Sequence, residues 1–319
     1  MRRIEIEWVE LGERVTATLS EDRNHALAEL LWSRLPYASL QTHALVSGDH
    51  LYHVAPIVEL VTTPATYKED RTKSPDGTVF LSQLQHLAVK YGALSEYIPA
   101  APVAHVVPEH LPALKRVGEG CWESVYRTKR PIEVRVHREG EPFDRPYFPS
   151  FGPVKAQVAQ WLLDEIVTEL QKTWLSSPAE IDALHAGRIP SGAGSRGQWF
   201  STLVFVNGET RPLGYSGFGG LMQVCRDPAV PLDMLVRLTR HFIRVPAEFL
   251  GYCGLGRLWD FVGRLLDVLP LLETKDEYFA LVSALGLYTN QLNAWNLHHY
   301  PWHVGGESFR FSPGASRAT

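Results

Sequence analysis

The sequence predicts an α+β protein whose β-rich first half is followed by a mainly α-helical second half. Apolar and polar residues alternate in short runs up to residue 107, which is the period of half-buried strands. Beyond residue 154 the apolar residues recur every three to four positions, which is the period of helices. Between the halves, residues 127–152 are rich in charge, proline and glycine. We therefore place a boundary at residue 150 and predict two domains, residues 1–150 and 151–319.

The elements of the first half follow from local patterns. Ile4, Ile6 and Trp8 alternate with glutamates, which is typical of a strand with one buried face. A stripe of apolar residues between Ser20 and Pro36 predicts a helix, because serine caps helices and proline ends them. The predicted elements are a hairpin over residues 4–19, a helix over 21–35, two strands about a turn at 47–49, a loop over 62–76, strands at 78–81 and 86–91, and a short helix at 111–117.

The second half contains mostly helical patterns. One exception is Asn207-Gly208, a common turn pair between two strands, which predicts a β-hairpin insert. A Gly/Ser-rich connector and a loop-like tail after Gly305 interrupt or end the helical region. The predicted elements are helices at 154–175 and 178–185, a connector at 189–197, the hairpin at 199–215, and helices at 232–252, 257–272 and 275–298.

Composition limits the class of protein. The net charge is −4, and no run of basic residues with interleaved aromatics appears, so a nucleic-acid partner is not expected. Three widely spaced cysteines indicate neither a disulfide framework nor a structural zinc site. The chain begins directly with alternating residues and has no run of about 18 apolar residues, the length that crosses a membrane. We expect a soluble, cytoplasmic protein that binds small molecules, and its oligomeric state stays open, a homo-oligomer included.

One strand-like segment contains ionisable side chains within an apolar run. In an extended conformation His86 and Lys90 lie on one face, whereas Leu87, Val89 and Tyr91 lie on the other. The first face is then either a solvated sheet surface or part of a functional site. The sequence pattern at this strand leaves both interpretations open.

The order of parts resembles a known family. The hairpin, the helix, the strand pair HALVSGDHLY from His43 to Tyr52 and the strand end Lys90-Tyr91-Gly92 resemble the small bacterial cyclophilin-like β-barrels. A barrel followed by a C-terminal helical bundle resembles the cucumopine and mikimopine synthases. The resemblance implies a cofactor-independent Pictet-Spengler condensation of L-histidine with 2-oxoglutarate. It carries over no individual catalytic residue.

The implied chemistry defines what the site must supply. A substrate amine adds to a ketone, water leaves to form an iminium, a ring carbon attacks that iminium, and the ring loses a proton. These steps require an acid/base pair active near neutral pH and a pocket that holds both substrates in position. Among the barrel residues, the candidates for proton transfer are His43, His86 and Lys90, with Glu96 as a base or as the residue that orients one of them.

Other residues are candidates for binding the substrates. Arginine suits carboxylates because its planar guanidinium donates two parallel hydrogen bonds. Tyrosine and glutamine supply neutral hydrogen-bonding groups. The substrate-binding candidates are Arg23, Tyr52, Gln83, Gln85 and Tyr91.

Neither a metal nor an organic cofactor is expected. In the run from His298 to His303, Pro301 breaks the helical spacing and no acidic residue separates the histidines, which disfavours a metal site. The glycine-rich segments at residues 214–220 and 251–256 lack the strand and the spacing of nucleotide-binding or hydrolase motifs. The alternatives to a synthase are a non-catalytic small-molecule or peptide binding module and a cyclophilin-like hydrolase or regulator.

Overall fold

The computed structural model describes residues 2–20, 22–189 and 199–302 of the chain. Within them, every strand pairing is antiparallel. The strands are β1 (Arg3–Trp8), β2 (Glu13–Leu19), β3 (Tyr37–His43), β4 (Gly48–Val54), β5 (Glu69–Asp70), β6 (Thr78–Ser82), β7 (His86–Leu94), β8 (Pro99–Val106) and β9 (Glu133–Arg138). Eight of them, in the order β2-β1-β9-β3-β4-β7-β6-β8, close into a barrel because β2 also pairs with β8, and β5 extends beyond β8.

Alternation along the strands decides which residues face the barrel interior. On β1, Ile6 and Trp8 are fully buried while the residues between them are only partly buried. The polar side chains in this interior are paired. The Trp8 indole donates to Gln41 at 2.9 Å, and the Tyr37 hydroxyl lies 3.0 Å from His53 Nε2. Pairing avoids the cost of leaving buried polar groups without a partner.

The helices divide between the two parts of the fold. Two pack against the barrel, and they are α1 (His25–Ser33) and α2 (Leu111–Glu123). The others form the bundle, and they are α3 (Gln157–Thr173), α4 (Ala179–His185), α5 (Trp199–Pro212), α6 (Gly219–Cys225), α7 (Leu232–Tyr252), α8 (Gly256–Val268) and α9 (Lys275–His299). A β-barrel followed by a helical bundle is the predicted fold, and it is confirmed.

Helix α9 forms the centre of the bundle. Every residue from Glu277 to His298 is buried, so this helix is enclosed on all sides and its apolar residues do not form a single stripe. It starts with a capping box, in which Thr274 Oγ1 accepts from the backbone N–H of Glu277 at 3.2 Å and the Glu277 carboxylate accepts from the backbone N–H of Thr274 at 3.0 Å.

The predicted hairpin at residues 199–215 is wrong. That segment is helix α5, followed directly by a π-helical stretch, Leu213–Phe218. Leu203, Val206 and Thr210 are fully buried and recur at helical spacing, so the segment places one helical face against the bundle core. Packing of this face outweighs the turn preference of Asn-Gly. The predicted connector at 189–197 apart from its first residue, and the tail after Gly305, lie outside the described residues.

The outer face of the barrel packs on the bundle. Leu40 and Val54 point out of the barrel and belong to the bundle's apolar core, not to the barrel's own. The Trp174 indole donates to the carbonyl of Ala38 on β3 at 2.7 Å. Residues between the end of β9 and the start of α3 connect the two parts, and the boundary at residue 150 stays a prediction within that connection. In the described ranges, no helix is both long and apolar enough to span a membrane.

Candidate active site

Strands β4 and β7 display the first set of polar residues on the outer face of the barrel. Their register pairs His50 with Lys90, Tyr52 with Ala88, and Val54 with His86. Partners that lie directly opposite in an antiparallel pair share a face, so His86 and Lys90 are on the same face, as the alternation predicts. Four residues of strand separate them by about 13 Å. This outer face therefore has a polar side chain at each end of the paired strands.

At the Lys90 end, a carboxylate and a guanidinium form the centre of a hydrogen-bonded cluster. Arg71 Nη2 donates to Glu96 Oε2 at 2.6 Å and to Ser47 Oγ at 3.0 Å, and Ser47 Oγ donates to the same carboxylate oxygen at 2.7 Å. Arg71 Nε also donates to the Glu96 carbonyl at 3.2 Å. The Arg71 side chain is 10% exposed and that of Glu96 is 40% exposed. One carboxylate oxygen is thus held in place, and the other has no partner among the described residues.

Lys90 is held by the loop that carries Arg71. Its ammonium donates to the carbonyl of Ser74 at 2.5 Å and lies 3.1 Å from Asp76 Oδ1, with only 8% of the side chain exposed. Because a buried ammonium needs such partners, these contacts tie residues 70–76 to the sheet. The geometry makes Lys90 an anchor of the Arg71 loop, and its predicted part in proton transfer stays a prediction.

His50 lies opposite Lys90, on the neighbouring strand β4, and its imidazole is uncharged at neutral pH. Burial lowers the pKa of His50 to about 3, and the positive charges of Arg71 and Lys90 act in the same direction. Its Nε2 is buried without a hydrogen-bond partner among the described residues. The Phe80 ring on β6 lies 6.2 Å from the imidazole. A buried orphan nitrogen at this position is a group that a bound ligand or water can satisfy.

At the other end, His86 contacts the bundle. Its Nε2 lies 2.7 Å from the Tyr215 hydroxyl, and the Tyr52 ring lies 4.8 Å from its own ring. Burial lowers the pKa of His86 to about 3, helped by the charge of Arg211. His86 is therefore a neutral hydrogen-bonding group at neutral pH, flanked by two tyrosine rings.

His43 and Tyr91 are not part of this outer surface. His43 pairs with Leu51, which faces the barrel interior, and its Nε2 lies 2.7 Å from the Tyr91 hydroxyl. The imidazole packs edge-on against Trp122 at the end of α2, with ring centroids 5.1 Å apart. Burial lowers the pKa of His43 and raises that of Tyr91. The sheet separates this pair from His86, so the structure divides the predicted histidines between two faces.

The two glutamine candidates sit in the turn between β6 and β7. Gln83 donates to the carbonyl of Val61 at 3.1 Å, which is a contact within the barrel domain. Gln85 has a left-handed backbone, and its amide oxygen accepts from Asn290 of α9 at 2.7 Å. The Gln85 amide nitrogen and the Asn290 amide oxygen are both buried without a partner among the described residues. Gln85 therefore joins the barrel to the bundle beside His86, with spare hydrogen-bonding capacity.

Arg23 lies apart from this surface. It precedes α1, pairs with Glu69 at 3.2 Å and stacks over the Tyr67 ring at 4.8 Å. Arg23 and Glu69 line a groove of about 330 Å³ together with His105. A second groove of about 440 Å³ lies between residues 148–151 and α3. Neither groove is lined by His86, Lys90 or Glu96. The polar residues on the outer face of β4 and β7 therefore lie outside both grooves.

The histidines near the end of α9 have structural partners. His298 Nε2 lies 3.1 Å from the carbonyl of Lys129, and His299 Nε2 lies 3.0 Å from Ser177 Oγ. Across the described ranges, no three His, Cys, Asp or Glu side chains are arranged to hold a metal ion. His303 lies outside these ranges.

Similarity to known proteins extends over both parts of the fold. Residues 159–299 match the family model of the cucumopine synthase C-terminal helical bundle domain. A solved structure of McbB in complex with tryptophan is 57% identical, with a TM-score of 0.93, and the match covers 96% of this chain and 99% of that one. The chain belongs to the same family as McbB. No curated protein sequence matches it.

These two matches confirm the predicted resemblance to the cucumopine synthases and the predicted enzyme class. The protein is a Pictet-Spengler enzyme that forms a carbon–carbon bond, and its substrates are small molecules. The binding-module and hydrolase alternatives are therefore not retained.

In this family member, sequence patterns missed several residues of the outer surface. Arg71 lies in the predicted polar loop and Ser47 in the predicted turn. Neither segment has a hydrophobic period from which the direction of a side chain can be predicted. Tyr215 and Asn293 come from the bundle, and Tyr215 falls in the segment predicted as a hairpin. A run of polar residues on an otherwise apolar helix, at Asn290 to Asn296, is the one signal that points toward a polar seam on α9.

Proposed function

We propose that this enzyme joins an amino acid with a nucleophilic aromatic ring to a 2-oxo acid through the outer surface between β4, β7 and the bundle. The supporting observation is the Arg71–Glu96 pair at one end of this surface, with a carboxylate oxygen left open. Arg71 Nη1 makes no hydrogen bond among the described residues, so it is available to a substrate carboxylate. His86 is the neutral hydrogen-bonding group at the other end.

The aromatic substrate proposed first is L-tryptophan. The 57%-identical McbB structure has tryptophan bound, which supports an indole-bearing substrate here. Tyr52 and Phe80 lie on the same outer face and supply flat apolar surface against which an aromatic ring packs. L-Histidine with 2-oxoglutarate is the second candidate pair, favoured by the match to the cucumopine synthase bundle domain.

The proposed reaction has three stages, of which the first two join the substrates. The substrate amine attacks the carbonyl carbon, and loss of water gives an iminium cation. A carbon of the aromatic ring then attacks the iminium carbon, and the new carbon–carbon bond closes a new ring fused to the aromatic one. The ring carbon finally loses its proton, which restores aromaticity. Electrons are only redistributed, so no oxidant or reductant enters the balance.

Each proposed role follows from a position on the outer surface. Glu96 takes the ring proton on its open oxygen, since Arg71 and Ser47 bind the other oxygen and hold the carboxylate in place. Arg71 orients a substrate carboxylate. His86 forms a hydrogen bond to the substrate oxygen that leaves as water. The pocket contributes mainly by holding the amine and the carbonyl carbon in contact.

The test is to incubate the purified protein with L-tryptophan or L-histidine and a panel of 2-oxo acids that includes 2-oxoglutarate. The expected product has the summed mass of the two substrates less one water, and it resists borohydride because ring closure has consumed the imine. Tryptophan deuterated at indole C2, or histidine deuterated on the ring, loses that label. Product formation that requires a reduced nicotinamide, or no product with either amino acid, overturns the proposal.

A further inference from the structure

We infer that Tyr215, oriented by Asn293, fixes His86 in the tautomer that carries its proton on Nδ1, and that Tyr215 is therefore a positioning residue for the proposed reaction. The tautomer itself can be measured without substrate, whereas its catalytic consequence rests on the proposed function. The inference assigns the bundle a defined part in a site whose other groups lie on the barrel.

The contact between Tyr215 and His86 is close and directional. The hydroxyl oxygen lies 2.7 Å from His86 Nε2, and the two rings meet edge to face at 88° with centroids 5.1 Å apart. The Tyr52 ring packs on His86 at 4.8 Å and limits rotation of the imidazole. Tyr215 itself lies in the π-helical stretch Leu213–Phe218, and such local widening of a helix is common at functional sites.

The direction of the hydrogen bond follows from the second partner of Tyr215. Asn293 Nδ2 lies 3.5 Å from the Tyr215 hydroxyl oxygen, and an amide nitrogen only donates. The hydroxyl oxygen accepts from Asn293, and among the described residues the hydroxyl proton has no other acceptor than His86 Nε2, so Tyr215 donates to that nitrogen. Burial raises the pKa of Tyr215, so this proton stays on the hydroxyl at neutral pH. A neutral imidazole that accepts at Nε2 must carry its proton on Nδ1.

The other ring nitrogen of His86 faces an open position. Nδ1 has no hydrogen bond among the described residues. It is not fully buried, since it is absent from the buried polar atoms that lack a partner. It is on the side of the ring away from Tyr215. A proton on Nδ1 makes His86 a neutral donor toward a substrate oxygen, such as the oxygen that leaves as water when the iminium forms. The opposite tautomer would present a lone pair there and repel that oxygen.

The experiment measures the tautomer and the turnover of the same variants. Protein labelled with ¹⁵N-histidine is recorded by long-range ¹H–¹⁵N correlation, in which the two neutral tautomers give different patterns, and the His86 signals are assigned by their loss in His86→Gln. Wild-type protein is expected to show Nδ1–H. Tyr215→Phe removes the donor, so Nε2–H appears at His86, and kcat falls roughly 10- to 100-fold, by analogy with the loss seen when the hydrogen-bond partners of metal-bound histidines are removed.

Two further variants test the assignment. Tyr278→Phe removes another buried hydroxyl from the bundle, one that bonds Thr239 at 2.7 Å far from His86, and it is expected to leave both the tautomer and kcat unchanged. Asn293→Leu removes the second donor to Tyr215 but keeps the hydroxyl, so a mixture of the two His86 tautomers is expected. An unmixed Nδ1–H signal in that variant contradicts the role given to Asn293.

Outcomes for the inference and for the proposed function are separable. Nε2–H in the wild type, or an unchanged tautomer in Tyr215→Phe, overturns the inference whether or not the enzyme forms product. An altered tautomer with unchanged kcat removes Tyr215 from the positioning role. Absence of product from every substrate pair, with the expected tautomers in place, overturns the proposed function and leaves the tautomer assignment standing.

Discussion

The guanidinium of Arg71 and the carboxylate of Glu96 lie 2.6 Å apart, although 25 positions separate them in the chain. Arg71 belongs to a loop between two barrel strands, and Glu96 follows β7. Ser47, from the turn before β4, hydrogen-bonds to both groups. Three loops between strands, which contain Ser47, Arg71 and Glu96, therefore meet at this carboxylate. A carboxylate held in this way by a buried guanidinium has a fixed orientation and keeps its second oxygen available to accept a proton, as a base must.

Replacing Glu96 tests whether this carboxylate is the base. Glu96→Gln keeps the size of the side chain but cannot accept the ring proton, so kcat is expected to fall roughly 10²- to 10⁴-fold. The matched control is Glu13→Gln, which removes another arginine-bound carboxylate, that of the exposed Arg116 pair. Steady-state kinetics and a melting curve are measured for both variants. Wild-type kcat in Glu96→Gln would exclude it as the base.

His43 and His86 are expected to respond differently to substitution. His43 is enclosed between Tyr91 and Trp122 on the inner face, so His43→Phe should lower the free energy of unfolding by about 1–3 kcal/mol, since it leaves polar partners unsatisfied. Its kcat should stay near that of the wild type. His86→Gln should lower kcat and change stability less. Urea unfolding and steady-state kinetics on both variants distinguish a role in stability from a role in turnover. Loss of turnover in His43→Phe at unchanged stability would restore His43 as a catalytic candidate.

The buried histidines make stability depend on pH. Burial lowers the pKa of His50 and of His53 from 6.5 to about 3. Below pH 6.5 the unfolded chain takes up protons on these rings, whereas the folded protein does not until about pH 3. The free energy of unfolding should therefore fall as pH drops through this window, by up to about 1.4 kcal/mol per pH unit for each ring.

The measurement is urea unfolding at several values between pH 7.5 and 4.5. His53→Gln should reduce the slope of the free energy of unfolding against pH, because one imidazole fewer then takes up a proton on unfolding. The control is His241→Gln on the exposed side of α7, which should leave the slope as it is in the wild type. A flat stability profile in the wild-type protein would show that these rings are solvated and titrate normally.

Gly214 allows the π-helical stretch to approach α9 closely. A methyl group at Gly214 would collide with the amide oxygen of Asn290, so Gly214→Ala should displace the neighbouring Tyr215 from His86 and lower kcat. Gly220 on α6 has open space at the same position, and Gly220→Ala should be neutral or stabilising by about 0.5–1 kcal/mol. Kinetics and melting curves of the two variants provide the comparison. Equal kcat in both would mean that the approach at Gly214 does not position Tyr215.

Local periodicity by itself determined the fold class and much of the outer surface. The alternation from His86 to Tyr91 assigns each residue to a face, and the helical patterns predict α3 and the three long helices at the end of the bundle. These predictions hold because side-chain direction in a strand or helix depends only on position along the element. The resemblance of the barrel-plus-bundle order to the cucumopine synthases followed from the same patterns.

The tertiary structure decided which residues meet. Turn preference at Asn207-Gly208 predicted strands, but burial of one helical face made that segment α5, since packing of apolar residues outweighs a local turn propensity. His43 and His86 look equivalent in the sequence, and the barrel puts them on opposite sides of a sheet. Arg71 beside Glu96, and Tyr215 beside His86, are contacts between distant segments, and no local pattern encodes them because they depend on how the closed barrel and the bundle pack together.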